Sequence, residues 1–231
     1  MRFHLDTIPI WEAYKSAPPC PLCHALAGAE ERYLDGFLGG SVMEPAMRVE
    51  TNRKGFCQEH WRALHAQQKV LPVALLLHTN MAEQLKAVEK AIDVMASGGK
   101  KSMEQITKAA ENIAGSCVLC ERLAMTLNQY VRTLLYMYDT ESDFRAAFAQ
   151  SSGFCLPHFA AVCRGSETWL RGKRREDFTA VLCTIEKNAL KQAAEDVYAF
   201  TQMFDYQNAA MEPGPRTKAA VINGICKMHG G

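Results

Sequence analysis

One pattern, present twice, constrains this chain more than anything else in it. Cys20-Pro21-Leu22-Cys23 is followed by Gly55-Phe56-Cys57-Gln58-Glu59-His60, and Cys117-Val118-Leu119-Cys120 by Gly153-Phe154-Cys155-Leu156-Pro157-His158. The CxxC pairs are offset by 97 residues and the GFCxxH segments by 98, so one insertion separates the two spacings. Further on, Leu77-His78-Thr79 and Leu85-Lys86 fall on Leu182-Cys183-Thr184 and Leu190-Lys191 at an offset of 105. The extra length sits in the polar stretch Arg164 to Asp177. An ordered set of matches marks an internal duplication.

Two cysteines two residues apart can bring both sulfurs onto one ion, and a CxxH in the first turn of a helix presents a thiolate and an imidazole together. Cys20, Cys23, Cys57 and His60 then form one Cys3His set, and Cys117, Cys120, Cys155 and His158 the other. Closed sets of soft sulfur and imidazole suit Zn2+, so two zinc ions per chain are expected. A helix N-terminus also favours thiolate over thiol. Each glycine eases a backbone turn, and each phenylalanine shields the sulfurs from water. Pairing within a copy closes the shorter loop and has the lower entropic cost. Pairing between the copies, or a joint cluster, is the alternative.

Other chemistries fit less of the pattern. Two iron–sulfur clusters in a redox protein remain the main rival, since Cys3His ligation of such clusters occurs. Cys20 to His24 spells the CxxCH of haem attachment, but Glu121 stands where the second copy would need its histidine. A thiol–disulfide oxidoreductase would place its CxxC in a βαβ setting that this sequence lacks. A catalytic zinc keeps a coordination position open, whereas four protein ligands leave none, and HExxH is absent. No catalytic residue is assigned, and the balance leans away from an enzyme. An enzyme with a groove between the copies, lined by His78 and Cys183, is a further alternative; the plainer reading is a core histidine and a small buried cysteine. Cys163 reads as packing. Cys226-Lys227-Met228-His229 lacks a partner CxxC and reads as part of a tail. The basic run Arg171 to Arg175 reads as a solvated loop.

The periodicity is helical throughout. Leu123, Leu127, Val131, Leu134 and Tyr138 form one apolar stripe. Leu75, His78, Met81, Leu85, Val88, Ile92 and Met95 form a second, with Pro72 in its first turn and Gly98-Gly99 as its stop. Its counterpart is Cys183, Leu190, Ala193, Val197, Phe200 and Phe204. The expected fold is all-α: two tandem pseudo-repeats of about four helices, each organised around a Cys3His site. Their bounds are 1–99 and 100–210, with a linker near Ser97 to Ser102, a C-terminal tail over 211–231, and the whole packed as one unit.

The net charge of +1 gives no reason to expect nucleic acid as partner. The N-terminus has no signal-like apolar stretch, and Leu71 to Leu77 is too short for a membrane span of about 20 residues. A cytoplasmic protein is therefore expected, with an unknown protein or small molecule as partner. Nine cysteines in that compartment point to metal rather than disulfides, and an odd number cannot pair completely.

The two CxxC…GFCxxH modules, with the late Phe204-Asp205-Tyr206, resemble an uncharacterised bacterial family, a domain of unknown function found largely in anaerobic Firmicutes and their relatives. The resemblance covers most of the chain. It implies a cytosolic bacterial protein and supports the metal assignment, and it carries no known activity.

Overall fold

The computed structural model describes residues 3–40, 44–96, 102–204 and 214–231. Among these residues there are eleven α-helices and no strand. They are α1 (Phe3–Ser16), α2 (Pro21–Leu38), α3 (Pro45–Lys54), α4 (Gln58–Ala66), α5 (Val70–Ala96), α6 (Ser102–Gly115), α7 (Val118–Thr140), α8 (Ser142–Ala149), α9 (Leu156–Trp169), α10 (Gly172–Gln202) and α11 (Pro215–His229). Each copy thus supplies five helices rather than about four. The expected C-terminal tail contains an ordered helix, α11, packed on α9 and α10. The expected linker with Gly98-Gly99 lies outside the described residues up to position 101, as do Asp205 and Tyr206.

Two compact units divide the chain, and neither coincides with one sequence copy. The first comprises residues 1–28 and 126–231, and the second residues 29–125. The second is therefore an uninterrupted stretch set into the first in chain order, and α2 and α7 each begin in one unit and end in the other.

The discontinuous unit has an aromatic core. Phe144, Phe148, Phe154 and Phe178 are fully buried. Phe148 lies 5.4 Å from Phe178 and 5.2 Å from Tyr138, centroid to centroid, while Trp11 and Tyr14 of α1 meet Phe144 edge-on at 5.3 and 4.9 Å. Edge-to-face and tilted pairs at these separations add to simple burial. The stripe expected on α7 is present: Val131 and Leu134 are buried and Leu123, Leu127 and Tyr138 half-buried.

The continuous unit packs Leu34, Phe37 and Leu38 of α2 against Phe56, Leu64, Val73, Leu76 and Leu119. Here the second expected stripe fails. Helix α5 forms, but its buried residues are Val73, Leu76, Asn80 and Ala91, while Leu75, His78, Met81, Leu85, Ile92 and Met95 are exposed. The inward face is chosen by a polar contact that a hydrophobic count overlooks. Asn80 donates to the carbonyls of Thr51 and Asn52, and Gln84 to those of Asn52 and Arg53, so α5 satisfies the open carbonyl end of α3. In the other long helix, α10, the buried residues are Phe178, Leu182, Ile185 and Glu186. Leu190, Ala193, Val197 and Phe200 are half-buried, and Cys183 and Phe204 are exposed.

Candidate metal centre

Both half-site types are helix N-termini. Cys57 and Cys155 are the N-caps of α4 and α9, with His60 and His158 in the first turn of each. Cys20 and Cys117 immediately precede α2 and α7, with Cys23 and Cys120 in the first turn. Backbone N–H groups at these ends have no partner within the helix, and the helix dipole favours anionic thiolates there.

The eight residues gather into two groups, but not the two that loop length favours. One contains Cys20, Cys23, Cys155 and His158, and the other Cys57, His60, Cys117 and Cys120; within each, the potential ligand atoms all lie within 4.8 Å of one another. The within-copy pairing is thus corrected: each CxxC joins the GFCxxH of the other copy. Loop closure discriminates only weakly between the two pairings. Closing the interval from Cys23 to Cys155 instead of that from Cys23 to Cys57 costs only about 1 kcal/mol more. A difference of that size does not fix the pairing. Each group lies wholly inside one unit.

In the first group Nδ1 of His158 stands 3.5 Å from Cys20 Sγ, 3.3 Å from Cys23 Sγ and 3.2 Å from Cys155 Sγ. Cys23 and Cys155 sulfurs are 3.6 Å apart. In the second, Nδ1 of His60 is 3.1 Å from Cys57 Sγ, 3.2 Å from Cys117 Sγ and 3.3 Å from Cys120 Sγ, with Cys57 and Cys120 sulfurs 3.8 Å apart. A tetrahedron with metal–sulfur bonds of about 2.3 Å and metal–nitrogen bonds of about 2.0 Å has edges of roughly 3.8 and 3.6 Å. The three nitrogen–sulfur edges and the one sulfur–sulfur edge just given for each group match that size to within about half an ångström.

Crowding three thiols splits their acidities. Hydrogen bonds from Cys155 and then Cys20 hold Cys23 down to about 3, while Cys155 is driven upward, first by its hydrogen bond with Cys20. Burial, followed by Cys117, pushes Cys120 up to about 12. One thiolate is thus accommodated at the expense of its neighbours, as expected of sulfurs converging around a common point.

The turn before each GFCxxH is built alike. Gly55 and Gly153 have φ of 64° and 72°, the left-handed region that disfavours a side chain. A Cβ on Gly55 would meet the Asn80 amide at 2.8 Å, and one on Gly153 the Glu186 carboxylate at 2.7 Å. Asn80 and Glu186 therefore occupy equivalent places on α5 and α10, so the true offset there is 106, one more than the sequence matches indicate. His78 and Cys183 lose their equivalence, and both are exposed and outside the metal groups rather than buried. Phe56 and Phe154, one residue on, are buried anchors; Phe56 packs on Phe37 at 5.0 Å and Trp61 at 4.9 Å.

Around this shared plan the two groups differ. In the continuous unit the Val118 N–H donates to the Gly55 carbonyl at 3.0 Å and the Ser116 hydroxyl to that of Lys54 at 2.5 Å, stitching the half-sites together. The matching position in the other unit is Pro21, which has no N–H to donate. There the Ser152 hydroxyl donates to the Pro18 carbonyl instead. The Glu186 carboxylate accepts from the Phe154 N–H at 2.8 Å and lies 3.5 Å from the buried ammonium of Lys227, which donates to the Ser152 carbonyl at 2.6 Å. Burial raises the Glu186 pKa, with the Phe154 N–H and Lys227 acting the other way. Helix α11 also carries Gly230 to this group, a Cβ on it falling 3.7 Å from Cys155 Sγ and 3.9 Å from Cys23 Sγ. In the continuous unit Nε2 of His60 is 3.4 Å from Glu30 Oε1, the carboxylate–histidine arrangement that orients a ligating ring.

Sequence reasoning found all eight clustered residues. It missed Glu30, Asn80, Glu186 and Lys227, which no motif marks; a polar residue among apolar neighbours on each long helix was the available signal. Cys226 and His229 join no metal group among the described residues. Arg174 of the basic run pairs with Asp139 at 2.7 Å on the exposed surface.

The fold and these groups define an all-helical protein with two Cys3His clusters capable of holding metal ions. The chain belongs to the family of unknown function DUF6062, whose model matches residues 1–231. It is similar to an uncharacterised 23.9 kDa protein in the xynA 3' region of Caldicellulosiruptor sp. (strain Rt8B.4), 27% identical over 143 residues. That match covers 62% of this chain and 64% of the relative. No solved structure matches. No helix among the described residues is long and apolar enough to cross a membrane.

Proposed function

We propose that this is a cytoplasmic zinc-binding protein whose two Cys3His ions are structural, and that it acts as a binding or regulatory module for a protein or small-molecule partner. The observation that carries the metal reading is the size of the groups: four ligand atoms within 4.8 Å of one another. That spacing suits one ion at the centre, whereas an iron–sulfur cluster holds its cysteines farther apart around several irons. Four protein ligands leave no position for substrate or water, which favours a structural role over a catalytic one. The ancestral unit, on this reading, completed its site with a second copy of itself, and duplication placed both halves in one chain.

The test is elemental analysis with a visible spectrum of untagged protein purified without oxygen. Two zinc per chain and no colour are expected. Iron with inorganic sulfide and a brown colour that bleaches on reduction would overturn the zinc reading in favour of electron transfer.

A further inference from the structure

We propose that the outer face of α5 is a coiled-coil seam through which two copies of this chain associate. Leu71, His78, Leu85 and Ile92 recur every seven residues, and Ala74, Met81, Val88 and Met95 recur every seven residues three positions later. Those are the a and d positions of four consecutive heptads. A helix that only faces its own core follows a 3.6-residue period, from which a strict seven drifts by about 20° per heptad. Around the helix, Leu71, Ala74, His78 and Met81 lie roughly 150° from the core-facing Val73, Leu76 and Asn80, whereas Leu85, Val88, Ile92 and Met95 lie about 80° from the buried Ala91. The packing of α5 on α3 and α4 therefore does not explain the stripe over its first two heptads.

The seam is open. Leu71 is 70% exposed, Met81 61%, Leu85 53%, Ile92 43% and Met95 37%, and the flanking Leu75 and Leu77 are nearly 40% exposed. These residues expose on the order of 600–700 Å2 in all, so a partner that covered nearly all of it would bury about as much per side as the lower end of the standard interface class. Four heptads also meet the length at which an a/d pattern signals a coiled coil, here with apolar rather than charged flanking positions.

The chemistry of the seam selects a second copy over a charged partner. The e and g positions are Leu75, Ala82, Glu89 and Ala96, and Val70, Leu77, Gln84 and Ala91, with a single charge among the eight. No ladder of like charges opposes self-pairing, and no block of charge calls for an opposite one. His78 is the one polar residue at an a position, the kind of residue that sets register in such seams.

The experiment is sedimentation velocity of the full-length, zinc-loaded protein over about 1 to 100 μM. The wild type is expected at twice the 25.7 kDa chain mass. Met81→Glu and Leu85→Glu should raise the dimer dissociation constant at least a hundredfold, with circular dichroism and zinc content unchanged. Lys86→Glu, on the same helix but off the seam, should leave the dimer intact. Met81→Ala/Leu85→Ala, which favours helix more strongly, should weaken the dimer even if a charged variant misfolds. A wild type that is monomeric throughout would overturn the proposal and leave the face to a different protein. A dimer that survives Met81→Glu/Leu85→Glu would overturn it too.

Discussion

Gly55 and Gly153 each combine a left-handed backbone with a polar side chain placed where a Cβ would go. Backbone strain of this kind costs about 1–3 kcal/mol. Gly153→Ala should therefore destabilise the discontinuous unit by about 2 kcal/mol, through strain and displacement of the buried Glu186, measured by chemical denaturation of zinc-loaded protein. Gly55→Ala should cost a similar or smaller amount, because Asn80 is neutral and its displacement leaves no buried charge. Glu30 acts differently, through the His60 ring. Glu30→Gln should weaken metal retention about 10- to 100-fold in the continuous unit alone. Chelator competition would then show one of two zinc ions released early, with helicity unchanged.

At the scale of elements, each metal group clamps two helix N-termini that are distant in the chain. One joins the starts of α2 and α9, the other those of α4 and α7. Paired substitutions test this exchange. Cys20→Ser/Cys155→Ser should remove one zinc per chain, since both residues belong to one group, whereas Cys20→Ser/Cys57→Ser should remove two. Within-copy ligation predicts the reverse stoichiometries, and elemental analysis reads the difference. Structural zinc contributes folding free energy on the order of 10 kcal/mol in small zinc peptides. Cys57→Ser should accordingly raise amide exchange in α4 and at the start of α7, while α9 and α10 keep their protection. Unchanged exchange in α4 would show that the ion there is dispensable for the fold.

Across the whole molecule the two centres are unequally sheltered. Each group has two buried ligands, but the other two are half-buried in the discontinuous unit, where Gly230 also lies against the sulfurs, whereas in the continuous unit Cys57 is half-buried and Cys120 is exposed. Zinc release to a colorimetric chelator should be biphasic, with the continuous unit losing its ion at least several-fold faster, and Glu30→Gln accelerating only that phase. A single phase for both ions would contradict the difference in shelter. The same scale separates what each level of description could disclose. The helical class, the duplication and the eight clustered residues were legible in the chain, because CxxC and GFCxxH are local patterns whose chemistry depends on spacing within a turn. Which half-sites meet was decided only in three dimensions, because loop closure discriminates between the pairings by only about 1 kcal/mol. The buried face of α5 was likewise decided by tertiary contacts, since its leucines and methionines outnumber Val73 and Leu76, yet Asn80 and Gln84 hold the other side to the carbonyl end of α3. A periodic apolar stripe shows that a face will be covered; the covering partner follows from the hydrogen bonds and the shape of the rest of the fold.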